Sequence, residues 1–199
     1  SVARGQSGVM KLRCALLQFA LLFTGLTLQA KESSTQSPPP ILNRPPLQQK
    51  AFVELPLGSV RPQGWLKLQL ERMRDGLTGD LDEKYPAVVG PRNGWLGGDG
   101  DGWERGPYWL DGLVPLGYIL QDERLIEKAK PWIEWCLTHQ DPSGYFGPKR
   151  FEKEPASEPG IQKTPREDWW PRMVMLKVLQ QYYSATGDRR VIEVLTRYF

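Results

Sequence analysis

Apolar residues recur along the C-terminal half of this chain in two alternating patterns. From Pro107 to Leu120 nearly every position is apolar, with Tyr108 and Asp111 three residues apart on one face, which predicts a helix covered on all sides. After Gln121-Asp122 the pattern narrows to one stripe, made by Leu125, Ile126, Ala129, Trp132, Ile133, Cys136 and Leu137. Glu127, Lys128, Lys130 and Glu134 fall largely opposite, so this segment reads as an outer, half-solvated helix. Pro131 is expected to bend it, and His139 to cap its last turn. Met173 to Ala185 is again apolar on most faces and predicts a second buried helix. Beyond Thr186-Gly187-Asp188, the residues Val191, Ile192, Val194, Leu195, Tyr198 and Phe199 open another stripe.

The two helical pairs echo each other at a single offset of 66 residues. Asp122 lies over Asp188, Arg124 over Arg190, Leu125 over Val191, Ile126 over Ile192 and Glu127 over Glu193, and the same offset lays Trp103 over Trp169. Self-similarity at one spacing marks a helical repeat of a buried helix, a short Asp-containing turn and a returning outer helix. Such hairpins stack in an open solenoid or close into a double-layered ring. Solenoid units run to about 34–47 residues, and the longer unit with aromatic, Gly-rich connections favours the ring. The fold class expected is all-α, with helical-hairpin repeats forming the N-terminal part of an α/α toroid.

Upstream, Leu66, Leu70, Met73 and Leu77 predict a helix from Pro62, and the glycine-crowded stretch Asp80 to Gly102 predicts a long loop. Asp141 to Pro148 reads as a turn-rich loop, and Lys149 to Arg166 as a polar connection. Residues 31–50, rich in Ser, Gln and Pro, read as a linker, so the folded domain is expected over 51–199. Before them, Met10-Lys11-Leu12-Arg13, the apolar run Cys14 to Leu28 and Gln29-Ala30 have the three parts of a secretory signal peptide over 10–30. Residues 1–9 are then an upstream or non-native extension, and the protein is expected to be secreted or periplasmic. A lasting membrane anchor is disfavoured, because the apolar run is shorter than the roughly 20 residues a bilayer needs and contains Gln18.

A formal net charge of +3, with acids and bases interleaved, offers no basic stripe for nucleic acid. Removing the leader removes Cys14 and leaves Cys136 alone, so no disulfide is expected, and Cys136 reads as a small buried hydrophobe. His139 has no histidine or cysteine at ligand spacing, and Asp99 and Asp101 lack the later ligands of a calcium loop. No metal or cofactor site is therefore expected in this segment.

The chemistry-bearing stretches are Trp103 to Gly112 and Glu167 to Arg172, each at the mouth of a buried helix. Sugar rings stack their apolar faces on aromatic side chains, while carboxylates and Arg take hydroxyl hydrogen bonds. Trp103, Tyr108, Trp109, Trp169 and Trp170 are thus candidates for a substrate-binding platform, with Arg172 as a polar partner; the competing reading is that these rings fill a core. Glycosidases use two carboxyl groups, one as acid and one as base or nucleophile. Glu104, Asp111 and Asp168 are the candidates on these loops, with substrate binding or helix capping as alternatives, Asp168 as an N-terminal cap above all.

Several motifs also carry a family resemblance. Leu55-Pro56-Leu57-Gly58-Ser59-Val60, the aromatic approach to the Tyr108 helix, Gly144-Tyr145-Phe146-Gly147 and Ser184-Ala185-Thr186-Gly187-Asp188 resemble the six-hairpin glycosidases. Within these the resemblance is to the β-L-arabinofuranosidase family, glycoside hydrolase family 127, over about residues 52–199. It implies a secreted hydrolase of plant-type or other polysaccharide-derived glycans, with a Glu acid/base and a zinc-held Cys nucleophile. Neither can be matched here; both are expected beyond Phe199, along with the zinc, and the 199 residues alone are expected to be inactive and poorly folded. Members resembling the arabinofuranosidases commonly carry a His just inside the first buried helix, where this chain reads Pro107-Tyr108-Trp109. The competing functions are a non-catalytic glycan-binding helical repeat and a polysaccharide lyase on the same toroid.

Overall fold

The computed structural model describes residues 38–148, 158–163 and 168–199. The predicted leader, residues 1–9, residues 31–37 of the predicted linker and most of the 149–166 connection lie outside the described residues. Among the described residues seven helices follow in order: α1 (Gly64–Arg74), α2 (Leu77–Lys84), α3 (Pro86–Val89), then α4 (Arg105–Leu120), α5 (Glu123–Thr138), α6 (Trp170–Thr186) and α7 (Arg190–Tyr198). A single 3-10 turn, Gly94–Leu96, precedes α4, and the described residues contain no strand.

The two hairpins are built alike because equivalent residues do equivalent work. Gln121 and Gly187, one repeat apart, both end an inner helix in the left-handed conformation, with φ of 56° and 71°. Asp122 then accepts the Leu125 amide at 3.2 Å, and Asp188 accepts the Arg190 amide at 3.0 Å, starting α5 and α7. Arg124 and Arg190, also one repeat apart, each reach back to a carboxylate of the preceding layer: Asp80 at 2.7 Å and Glu134 at 2.7 Å.

α4 is the centre of the assembly. It packs against α5 outside it, α6 beside it, and α1, α2 and α3 on the other side. Two cross-helix bonds fix its register with α6: Glu104 meets Trp170 and Asp111 meets Lys177, both pairs 66 residues apart. Since 104 to 111 and 170 to 177 are equal steps, the inner helices run parallel and level. Leu110, Leu113 and Val114 of α4, Leu125, Ile133 and Cys136 of α5, Met175, Val178 and Leu179 of α6, and Val191 and Val194 of α7 are all buried. Each such side chain contributes about 1.5–3 kcal/mol of transfer free energy to folding.

The upstream half departs from the sequence pattern. The first helix begins at Gly64 rather than Pro62 and ends before Leu77: the Asp75 amide returns to Glu71 O at 2.9 Å, and Leu77 starts α2. The loop expected over Asp80 to Gly102 is helical in α2, α3 and the 3-10 turn. Its glycines serve close packing, at Gly97 together with a left-handed backbone. A Cβ on Gly98 would stand 2.2 Å from the Arg92 carbonyl oxygen, and one on Gly97, itself at φ +80°, would stand 2.3 Å from the Trp135 ring. α6 is also less enclosed than its composition predicts. It buries Pro171, Arg172, Met175, Val178 and Leu179 but leaves Met173 and Lys177 exposed.

Candidate functional site

Both aromatic connections arrive at the same end of the inner helices. The Trp103 indole N–H donates to Asp168 Oδ2, and the Trp170 indole N–H donates to Glu104 Oε2, so the two loops are stitched by reciprocal indole-to-carboxylate bonds. Asp168 accepts a second bond from the Trp170 amide at 3.0 Å, which satisfies an N–H of the first turn of α6. The N-cap of α6 itself is Trp169, which makes no side-chain capping bond, so Asp168 braces the helix entry from one residue before the cap.

The aromatic candidates divide by exposure. Trp169, Trp170 and Tyr108 are 54%, 47% and 49% exposed at this end. The Trp169 ring stands edge-on to Tyr145 and to Tyr198, with centres 6.0 and 5.6 Å away, and is braced from behind. Trp103 is half-buried, and its backbone carbonyl accepts the Trp95 indole at 2.8 Å. Trp109 does not join the platform. It is buried edge-on against Trp132 with centres 5.7 Å apart, and its N–H is used by Thr78 O at 2.9 Å. Its place on the inward face of α4 makes it core.

Arg172 likewise turns inward. Because α6 starts at Trp170, Arg172 lies in its first turn and is 0% exposed. Its Nε donates to Phe146 O at 2.8 Å, Nη1 donates to Asp168 O, and the guanidinium lies 3.7 Å from the Tyr145 ring centre. That closes it off from any sugar and makes it the post that ties the 141–148 loop to the start of α6. Asp111 is occupied as well: Lys177 Nζ donates to Oδ2 at 2.9 Å and Gln181 Nε2 to Oδ1 at 2.8 Å.

The glycine-rich approach to α4 is pinned by cations of the chain itself. Arg92 pairs with Asp99 at 2.8 Å and with Glu158 at 2.9 Å, and its bond to Asp99 holds that carboxyl below the usual range. Buried Asp101 accepts from Arg105 and from the Gln162 amide at 2.9 Å, while Lys163 Nζ sits on the carbonyls of Asp99 and Gly100. The described residues contain no cluster of three or more His, Cys, Asp or Glu able to hold a metal ion. The zinc implied by the resemblance finds no ligand set among them. Burial pushes the Cys136 thiol up to about 12, and His139 is stacked on Trp135 with ring centres 3.5 Å apart.

A cavity of about 350 Å³ lies elsewhere, between residues 38–56 and the C-terminal end of α6, lined by Pro38, Ile41, Phe52, Tyr183 and Arg189 among others. The 17 residues of α6 span about 25 Å, so this cavity is a helix length from Trp170. No described helix is long and apolar enough to cross a membrane.

Level, parallel inner helices, outer helices that return, and long connections gathered at one end are the helical-hairpin arrangement of the α/α-toroid class. The family model described as "Beta-L-arabinofuranosidase, GH127 catalytic domain" matches residues 61–199, from the approach to α1 onward. The chain belongs to this glycoside hydrolase family. Comparison with curated proteins and with solved structures returns no match.

The bonds between inner helices were the part of the site that motif reading missed. Their signal was nonetheless present: residues one repeat apart become side-by-side neighbours in a ring, so Glu104 and Trp170, or Asp111 and Lys177, could have been paired from the offset alone.

Proposed function

We propose that the protein is a secreted or periplasmic glycoside hydrolase acting on plant-type or other polysaccharide-derived glycans, with an activity of the β-L-arabinofuranosidase kind. The observation that carries this reading, beside the family, is the meeting of the Trp103 and Trp169-Trp170 loops at one end of parallel inner helices. Half-exposed Trp169, Trp170 and Tyr108 offer apolar faces for sugar rings, and Glu104 offers a carboxylate acceptor among them.

The hydrolytic pair is assigned outside Glu104, Asp111 and Asp168. Asp111 is neutralised by Lys177, and Asp168 is bound by both Trp103 and the Trp170 amide, whereas a glycosidase acid and its partner must face the scissile bond. Asp168 and Glu104 orient the Trp103 and Trp170 rings, and Asp111 ties α4 to α6 through Lys177 and Gln181.

The test is hydrolysis by protein expressed from the complete reading frame, using nitrophenyl β-L-arabinofuranoside and plant-wall oligosaccharides. Release of nitrophenol or of free arabinose is the expected result. Failure to cleave any of them would overturn the hydrolase reading. Unsaturated products absorbing near the ultraviolet edge would point to a lyase instead.

A further inference from the structure

Trp170 is held at both ends. Asp168 Oδ1 accepts its backbone amide at 3.0 Å, and Glu104 Oε2 accepts its indole N–H across the gap between α6 and α4. Yet the ring remains 47% exposed. An indole whose polar edge is satisfied by protein, with its apolar surface open, is an aromatic surface fixed before anything binds, so little freedom is lost when a ring is laid on it.

Glu104 sits at the N-cap of α4 with helical backbone angles, φ −87° and ψ −22°. Tyr108 follows one turn later, its amide donating to the Glu104 carbonyl at 3.0 Å, and is 49% exposed. Residues four apart lie on one face of a helix, which puts Tyr108 on the face of α4 that begins at Glu104. Oε1 of Glu104 makes no hydrogen bond among the described residues. The Trp170 ring and the Glu104 carboxylate are thereby in contact, and half-exposed Tyr108 lies one turn further along the same helix.

We propose that Trp170, Glu104 and Tyr108 form a stacking subsite for a neutral sugar residue, in which one oxygen of Glu104 fixes the Trp170 indole and the other accepts a hydroxyl of the sugar. This rests on reading the aromatic end as a glycan site. It adds a selectivity: a carboxylate at the rim of the stack accepts hydroxyls but repels a uronate, so the subsite takes neutral sugar residues and rejects uronic acids of similar size. Trp170 is the stacking residue, and Glu104 both positions it and binds the hydroxyl.

The experiment is a titration of the full chain with arabino-oligosaccharide and with tri-galacturonate, followed by tryptophan fluorescence and calorimetry, with melting curves for every variant. Wild type is expected to bind the neutral probe at least tenfold more tightly than the uronate. W170A and Y108A each weaken neutral-probe binding tenfold or more. W170F, which keeps a ring and loses the N–H, falls between W170A and wild type. E104A weakens binding as W170A does, whereas E104Q retains an acceptor for the indole and narrows the neutral-to-uronate gap. A wild type that binds neither probe, a W170F or Y108A with unchanged affinity and native melting, or an E104Q that leaves the gap as it was would each overturn the proposal. Loss of melting temperature in E104A with unchanged affinity would reduce Glu104 to a structural role and overturn it too. Failure here is separable from failure of the hydrolase reading: hydrolysis with indifferent variants sinks the subsite alone, and variant-sensitive binding without hydrolysis sinks the enzyme alone.

Discussion

Asp111 and Lys177 occupy equivalent places on successive inner helices and are joined by a 2.9 Å ion pair, with Gln181 donating to the other Asp111 oxygen at 2.8 Å. The pair marks the level at which α4 and α6 lie side by side. Lys177 is well exposed, so the charge term is screened and the coupling is expected to be about 0.2–1 kcal/mol in a double-mutant cycle of D111N and K177M. D111A should cost more than K177A, because it also strips Gln181 of its acceptor. Denaturant unfolding of the four proteins measures both; equal costs for the two single variants would show that Gln181 contributes nothing.

Arg172 should be among the least replaceable residues of the fold. Removing its guanidinium leaves the carbonyls of Phe146 and Asp168 without their donor and the Tyr145 face without its cation, at a cost of about 3 kcal/mol or more. R172K is expected to recover only part of this, since an ammonium cannot span both carbonyls while lying flat on a ring. Thermal melts of R172M and R172K report the order.

Arg190 bridges Glu134 and Asp188, and its hydrogen bonds hold both carboxyls below the usual carboxylate range. A folded-state pKa below the unfolded one means stability that is complete above the ordinary carboxylate range and is lost as pH falls through the depressed folded values. Melting temperature should therefore drop on the acid side, and R190M should flatten that drop while lowering stability at neutral pH. An R190M profile parallel to wild type would remove this bridge from the acid response.

Cys136 is sealed in the core with its thiol pushed up to about 12 by burial. An aromatic disulfide reagent at pH 8 should leave Cys136 unmodified in the folded protein and modify it once denaturant unfolds the chain, read from the mass of the peptide that carries Cys136. Rapid modification of Cys136 in the native protein would mean that the interface of α5 with its neighbours opens readily.

The chain by itself determined the two helical hairpins, their caps and the offset between them. Those features are local: a stripe of apolar residues, a left-handed residue, an Asp before the outer helix, repeated at 66 residues. The glycines of 80–102 misled because sequence does not separate a glycine needed for freedom from one needed for contact, and the Trp135 ring that crowds Gly97 is known only once α5 is placed. The sorting of the aromatic and charged candidates was equally out of reach. Trp109 went inward because Thr78 O, 31 residues away, takes its N–H, while Trp170 stayed half-exposed because Glu104, 66 residues away, takes the same kind of donor. Indole and guanidinium groups are at home in a core or on a binding face, and which one they serve depends on partners that only the packing of distant segments brings within hydrogen-bond reach.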